Sequence, residues 1–280
     1  MPGYFRLSLD NLKKEVRELW DLGLRSVLLF VKVPDSLKDN KGTEALNPDG
    51  LMQRAIKAVK EVCPEMWVMT DVALDPYSCY GHDGIVEKGV ILNDATTEVL
   101  GAMGASHAKA GADMVAPSDM MDGRILRIRE ALDAEGFENT GIMSYSAKYA
   151  SAFYGPFRDA LDSAPVDSEE VPPDKKTYQM NPANKREALI EGELDVLEGA
   201  DYLMVKPALN YLDVIHVMKE RFELPIAAYH VSGECAMLLA ACRNGWLDYE
   251  QAMPETLLSI RRAGTDVIIT YFAKDWAKMA

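Results

Sequence analysis

The chain lacks a basic surplus, paired cysteines and long apolar runs, and each absence removes a class of function. Its 280 residues carry 30 Lys and Arg against 44 Asp and Glu, a net charge of −14, with no basic block and no aromatic-plus-basic pattern. That disfavours nucleic acid and anionic membrane surfaces as partners and leaves a small molecule as the expected one. The four cysteines, Cys63, Cys79, Cys235 and Cys242, form no CxxC and no zinc-ribbon spacing, which argues against a disulfide framework or a structural zinc site. No apolar run approaches the roughly 20 residues of a membrane span. The opening MPGYFRLSLDNLKKE has no apolar segment of the signal-peptide kind, so the cytoplasm is the expected compartment.

What is present is a repeated alternation. Seven short apolar runs end in polar or reactive residues: SVLLFV, WVMTDVAL, DMVAPSD, GIMSYSAK, YLMVKP, IAAYHVSG and VIITYFAK. Between them lie stretches with helical spacing, among them LDNLKKEVRELWDLG, LMQRAIKAVKEV and KREALIEGELDVLEGA. A βαβα alternation predicts a parallel sheet. Helix-to-strand links are tight and alike, whereas several strand-to-helix links are long, the asymmetry of a (β/α)8 barrel whose active face carries those loops. The longest, about 149–185, is rich in Pro and charge and reads as an active-site lid within a single catalytic domain, 1–280.

Lys206 follows Leu203-Met204-Val205 and precedes Pro207, so the pattern places an amine at the end of a buried strand. A buried ammonium is costly or loses its proton, and a neutral amine is the nucleophile that makes a Schiff base with a ketone. Lys148 ends the preceding run. Two lysines ending consecutive barrel strands would lower each other's affinity for protons. Asp71, Ser118-Asp119, His230 and Thr270-Tyr271 also fall at strand ends and should meet at the same mouth.

GADYLMVKPALNYLD, MSYSAKYASAFYGPFRDA, DVALDPYSCYGHDG, APSDMMDGR, YHVSGECAM and RAGTDVIITYFAK together resemble the porphobilinogen synthase (5-aminolevulinate dehydratase) family, in that family's block order. The resemblance implies a (β/α)8 TIM barrel and a hydro-lyase that condenses two 5-aminolevulinate molecules into porphobilinogen in tetrapyrrole synthesis. It makes Lys206 the Schiff-base lysine for the first substrate and gives the second to Lys148. It assigns carboxylate binding to Arg158, Lys175, Ser232 and Tyr271, with Gln179 a further contact, and packing around the first substrate to Phe153, Tyr154 and Phe157. Lys175 stands where many members have arginine, which exchanges a planar fork for a point charge. His107 and His216 fall within helical patterns as surface or packed residues, and His230 is expected as a hydrogen-bonded neighbour without a catalytic role.

Zinc-using members carry three cysteines where this chain has Ala73, Asp75 and Asp83, so the resemblance implies no catalytic zinc; carboxylates suit Mg2+ or a monovalent ion. Cys79, His82 and Asp83 form a weaker alternative ligand set. Members without the cysteines use magnesium away from the active site, met by a helix glutamate that corresponds to Glu191. The family's assembly is a homo-oligomer. Its N-terminal arm and first strand precede the stretch that MPGYFRLS matches, so the seven runs leave both expected upstream, and a chain without them is expected to form smaller species. The competing readings are a Schiff-base aldolase of the same barrel class and an inactive truncated barrel subunit.

Overall fold

The computed structural model of the protein describes residues 3–161, 163–168 and 170–279. Its strands are β1 (Ser26–Leu29), β2 (Trp67–Val72), β3 (Ile85–Glu87), β4 (Val90–Leu92), β5 (Met114–Pro117), β6 (Gly141–Lys148), β7 (Tyr202–Lys206), β8 (Ile226–His230) and β9 (Val267–Thr270). Seven of them pair in parallel in the order β1-β2-β5-β6-β7-β8-β9, and they are the seven runs read from the sequence. Each strand stops near the polar end of its run, because that end belongs to the loop that carries chemistry.

The inner strands are covered on both faces, so their residues are almost all buried and read as continuous apolar runs. The outermost strands differ. All four residues of β9 are half-buried, and β1 buries only Leu29. The reason is topological: among the described residues no ladder joins β1 to β9, and the barrel wall stays open there. Helices Leu51–Val62, Asn93–Ala110, Arg124–Ala134 and Arg186–Glu198 alternate with the strands on the outside. In the first of these, Met52, Ile56 and Val59 recur at helical spacing and face the core.

One element escaped the sequence reading. β3 and β4 form an antiparallel hairpin in which Glu87 pairs with Val90 across Lys88-Gly89. Both turn residues have positive φ, 50° and 77°, the conformation that matches the twist of two antiparallel strands. The hairpin lies in the strand-to-helix connection after β2, on the same side as the predicted lid. That lid segment contains a short helix, Gly155–Leu161, and returns to the barrel where Tyr149 bridges Met180.

Candidate active site

The register of β6 on β7 places Lys148 and Lys206 directly opposite each other at the strand ends. Both are 6% exposed. Tyr145 lies three residues before Lys148, so an unbroken strand would turn the two to opposite faces. Between Ser144 and Ala147 the register against β7 slips by one residue, a bulge that rephases the strand. The Lys148 Nζ accordingly sits 5.9 Å from the Tyr145 ring centroid.

Four rings surround the Lys206 amine: Tyr229 at 4.5 Å, Tyr145 at 5.1 Å, Phe157 at 5.2 Å and Tyr154 at 5.3 Å from its Nζ. Ring faces favour the ammonium, but the dry cage removes water from it, and the second effect wins. Burial first, and the Lys148 cation second, push Lys206 down to about 7, against the pull of Asp71, Asp75 and Asp83. An amine lowered in this way sheds its proton far more readily than an ordinary lysine and can act as a nucleophile.

Carboxylates divide into two kinds around the lysines. Burial, reinforced by Asp75, pushes Asp71 up to about 7, and its Oδ1 is buried without a hydrogen-bond partner among the described residues. Burial also works to raise Asp83, yet Lys148, Lys175 and the Tyr178 hydroxyl outweigh it and hold Asp83 well below the usual carboxylate range. Lys148 donates to the Ser118 carbonyl and lies 3.6 Å from Asp83. Lys175, itself buried, lies 3.0 Å from Asp83 and 3.3 Å from Asp75. Burial lowers its proton affinity, and the two carboxylates more than restore it. The site therefore holds one proton-shedding amine, one proton-holding carboxyl and a neutralised ion cluster side by side.

The residues read from the sequence separate into two groups. Lys148, Lys206, Tyr154, Phe157, Arg158, Lys175 and Gln179 all line one pocket, together with Asp71, Asp75, Asp83 and Ser118. Arg158 stacks its guanidinium 5.6 Å over Tyr154. Phe153, Ser232 and Tyr271 stand behind that lining. The Ser232 Oγ accepts a hydrogen bond from the Phe157 N–H at 3.1 Å, and a Cβ on Gly233 would lie 2.4 Å from the Phe153 carbonyl oxygen. Ser232-Gly233 thus clasps the segment that carries Phe157 and Arg158. Tyr271 shares a side-chain hydrogen bond with Tyr229 and reaches the cage through it. Lys175 differs most from its sequence reading, because its amine is already engaged by the two buried carboxylates Asp75 and Asp83. Tyr145, Tyr229, Phe30 and Ser163 were not singled out in the sequence, and the bulge explains why Tyr145 was invisible to a period-two reading.

Among the described residues no histidine lines the pocket. His107 is fully buried with Nδ1 3.0 Å from the Thr70 hydroxyl, His216 is exposed beside Glu220, and His230 lies 3.0 Å from Thr270 Oγ1. His82 uses both ring nitrogens, on the Tyr178 hydroxyl and the Pro172 carbonyl. Cys79 is exposed, and among the described residues no three His, Cys, Asp or Glu side chains are grouped to hold a metal, so Cys79, His82 and Asp83 are not a ligand set here. Glu191, with its side chain 19% exposed, lies 3.4 Å from the buried Arg124 guanidinium. Burial pushes Glu191 up to about 7, with Arg124 opposing and Asp195 and Asp122 adding to the rise. Arg124 is shared by Glu191, Asp195 at 3.8 Å and Asp119 at 3.7 Å, and of the three Glu191 is the one that reaches solvent, so it suits a hydrated magnesium ion met through one oxygen and does not suit a dehydrated ion caged by side chains.

The family model described as Delta-aminolevulinic acid dehydratase matches residues 1–279. A chloroplastic delta-aminolevulinic acid dehydratase of Physcomitrium patens is 58% identical over 275 residues, 98% of this chain and 62% of that protein. The delta-aminolevulinic acid dehydratase of Synechococcus elongatus is 52% identical over 282 residues, 99% of this chain and 84% of that protein. Among solved structures, delta-aminolevulinic acid dehydratase (porphobilinogen synthase) from Toxoplasma gondii ME49 in complex with the reaction product porphobilinogen superposes with a TM-score of 0.96 at 54% identity, covering 99% of this chain and 78% of that one. The chain spans 62 to 65% of the length of the Physcomitrium, Arabidopsis and rice relatives. Their chloroplastic names, shared by the Chlamydomonas relative, overturn the cytoplasmic expectation and point to the plastid. The lack of an apolar secretory segment had no bearing on this, since plastid leaders are rich in Ser and Arg rather than apolar. By its sequence over nearly every residue, and by the barrel that carries its paired lysines, the chain belongs to the delta-aminolevulinic acid dehydratase family.

Proposed function

We propose that this protein condenses two molecules of 5-aminolevulinate into porphobilinogen with release of two waters. The observation that carries this reading is the pair of buried lysines in register, one of them brought to about 7 within an aromatic cage. Lys206 attacks the ketone of the first substrate through its unprotonated amine, the carbonyl oxygen leaves as water, and an imine remains. Lys148, 3.6 Å from Asp83, engages the ketone of the second. Burial holds Asp71 up at about 7, and its Oδ1 has no partner among the described residues, so it can take and return protons beside both amines. Arg158 and Gln179 face the same pocket and suit a substrate carboxylate.

The segment 149–185 acts as the lid in this reading, since Tyr154, Phe157, Arg158, Lys175 and Gln179 all reach the pocket from it. Lys175 serves the reaction by neutralising Asp75 and Asp83, which keeps their charges from restoring the Lys206 proton. A homo-oligomer fits the surface: on helix Arg186–Glu198, Ile190, Leu194 and Leu197 are 61%, 46% and 82% exposed, an apolar stripe that a second copy would cover. A hydrated magnesium ion against Glu191 would add positive charge beside the Arg124–Glu191 pair, outside the chemical steps.

The test is incubation of the purified chain with 5-aminolevulinate, a colorimetric assay for the pyrrole, and borohydride reduction followed by peptide mass spectrometry. Product together with a substrate adduct on Lys206 is the expected result; an adduct only on other lysines overturns the assignment. For the ion, Glu191→Gln is expected to abolish any rise in activity with added magnesium while leaving the magnesium-free rate within about twofold. A magnesium response unchanged in that variant removes Glu191 from the ion's site.

A further inference from the structure

The lid residue Ser163 is 1% exposed, and its Oγ is buried without a hydrogen-bond partner among the described residues, yet it lines the same pocket as Arg158, Gln179 and Lys206. A buried hydroxyl without a partner is unfavourable, and native chains keep few such groups. Packing does not explain it, because alanine would fill nearly the same space.

The backbone around Ser163 is fixed from both sides. Its own N–H donates to the Arg158 carbonyl at 3.2 Å, and three residues on, the Val166 N–H donates to the Tyr80 carbonyl at 3.1 Å. Between these anchors the Ala164 carbonyl oxygen comes so near Gly81 that a Cβ there would lie 2.1 Å from it, and Gly81 holds φ +70°, so only glycine fits. The lid is thus pinned to the loop after β2 at the point where Ser163 turns toward the pocket. A preorganised, desolvated donor beside an arginine suits an anionic oxygen.

We propose that Ser163 is a substrate-positioning residue whose hydroxyl donates to the carboxylate of a bound 4-oxo acid of the 5-aminolevulinate class, alongside Arg158. More narrowly, that carboxylate belongs to the second substrate, because the loop that pins the Ser163 segment, at Tyr80 and Gly81, runs on to Asp83, which lies 3.6 Å from Lys148. This assignment rests on the synthase reading above. The hydroxyl makes its bond only when the pocket is filled, which accounts for its lack of a partner otherwise.

The experiment compares wild type, Ser163→Ala and Ser163→Thr in the full chain by steady-state kinetics, thermal melting and single-substrate trapping at Lys206 with borohydride. A hydrogen bond to a charged group corresponds to about a tenfold or larger change in binding. Ser163→Ala is expected to raise KM about tenfold, to melt no lower than wild type, and to trap the first substrate at Lys206 as wild type does. Ser163→Thr, which restores the hydroxyl, is expected to recover part of the loss. An unchanged KM in Ser163→Ala overturns the proposal, and so does a lowered melting temperature with equal losses in KM and trapping, since that marks a structural role. A wild-type chain that traps nothing at Lys206 defeats the synthase reading itself and is recognised separately, because it precedes any substitution.

Discussion

Replacing Lys148 with alanine is expected to stop porphobilinogen formation while substrate is still trapped on Lys206. The two lysines face each other across β6 and β7, so the loss removes the second amine and also the cation that helps to discharge the first. Product formation should fall by about 10^4-fold or more, which corresponds to roughly 5.5 kcal/mol of barrier. The trapping reaction should change in its pH dependence rather than vanish. Lys148 is the second-largest cause, after burial, of the fall of Lys206 to about 7, so its removal moves Lys206 upward. Less neutral amine is then available at pH 7, and trapping slows there but recovers toward alkaline pH. Asp83 keeps Lys175 at 3.0 Å, so the variant does not strip Asp83 of its cation. The measurement is the rate of borohydride-fixed adduct against pH in both proteins. An identical pH profile would mean that the two amines do not sense each other, and residual product near the wild-type rate would remove Lys148 from the chemistry.

How much of this was legible in the sequence depends on the range of the interaction concerned. The seven barrel strands were legible because strands covered on both faces must be apolar throughout, and the lysines because a charge at the end of such a run has no cheap explanation. The β3 to β4 hairpin was hidden because its turn is Lys88-Gly89 rather than the Asn-Gly or Asp-Gly pair that signals such a turn. Tyr145 was hidden by the bulge that rephases β6. The engagement of Lys175 by Asp75 joins residues 100 apart in the chain, and no local pattern announces it. Ser163 carries no periodicity at all, and its significance appears only when its hydroxyl is found buried and alone. Family resemblance supplied residue roles that local physics could not, but it described Lys175 by a substrate carboxylate, whereas the fold pairs it with Asp75 and Asp83.

Lys206→Met should be inactive and, at pH 6, more stable than the wild type. Methionine approximates the length of the lysine stem and is comfortable among rings, so the four-ring cage can close on it with little strain. The stability gain follows from proton linkage. Lys206 falls from 10.5 to about 7 on folding, chiefly through burial, so below pH 7 both the folded and unfolded chains carry its proton and the full cost of a buried ammonium is present. Between about 7 and 10.5 the unfolded chain binds a proton that the folded chain has shed, and wild-type stability rises with pH through this window. Above it both states are neutral and the cost is gone. The advantage of the methionine variant is therefore largest in acid, on the order of a few kcal/mol, and shrinks toward zero as the pH passes 10. Asp71 does not reverse this, because Lys206 is one of the groups that lower it, and without that pull it stays protonated rather than becoming a new buried charge. Denaturant unfolding of both proteins at several pH values between 6 and 10 measures the difference directly. A variant less stable than wild type at pH 6, or a difference independent of pH, would mean that the amine is not desolvated in the folded protein, and the account of Lys206 as a nucleophile would lose its physical basis.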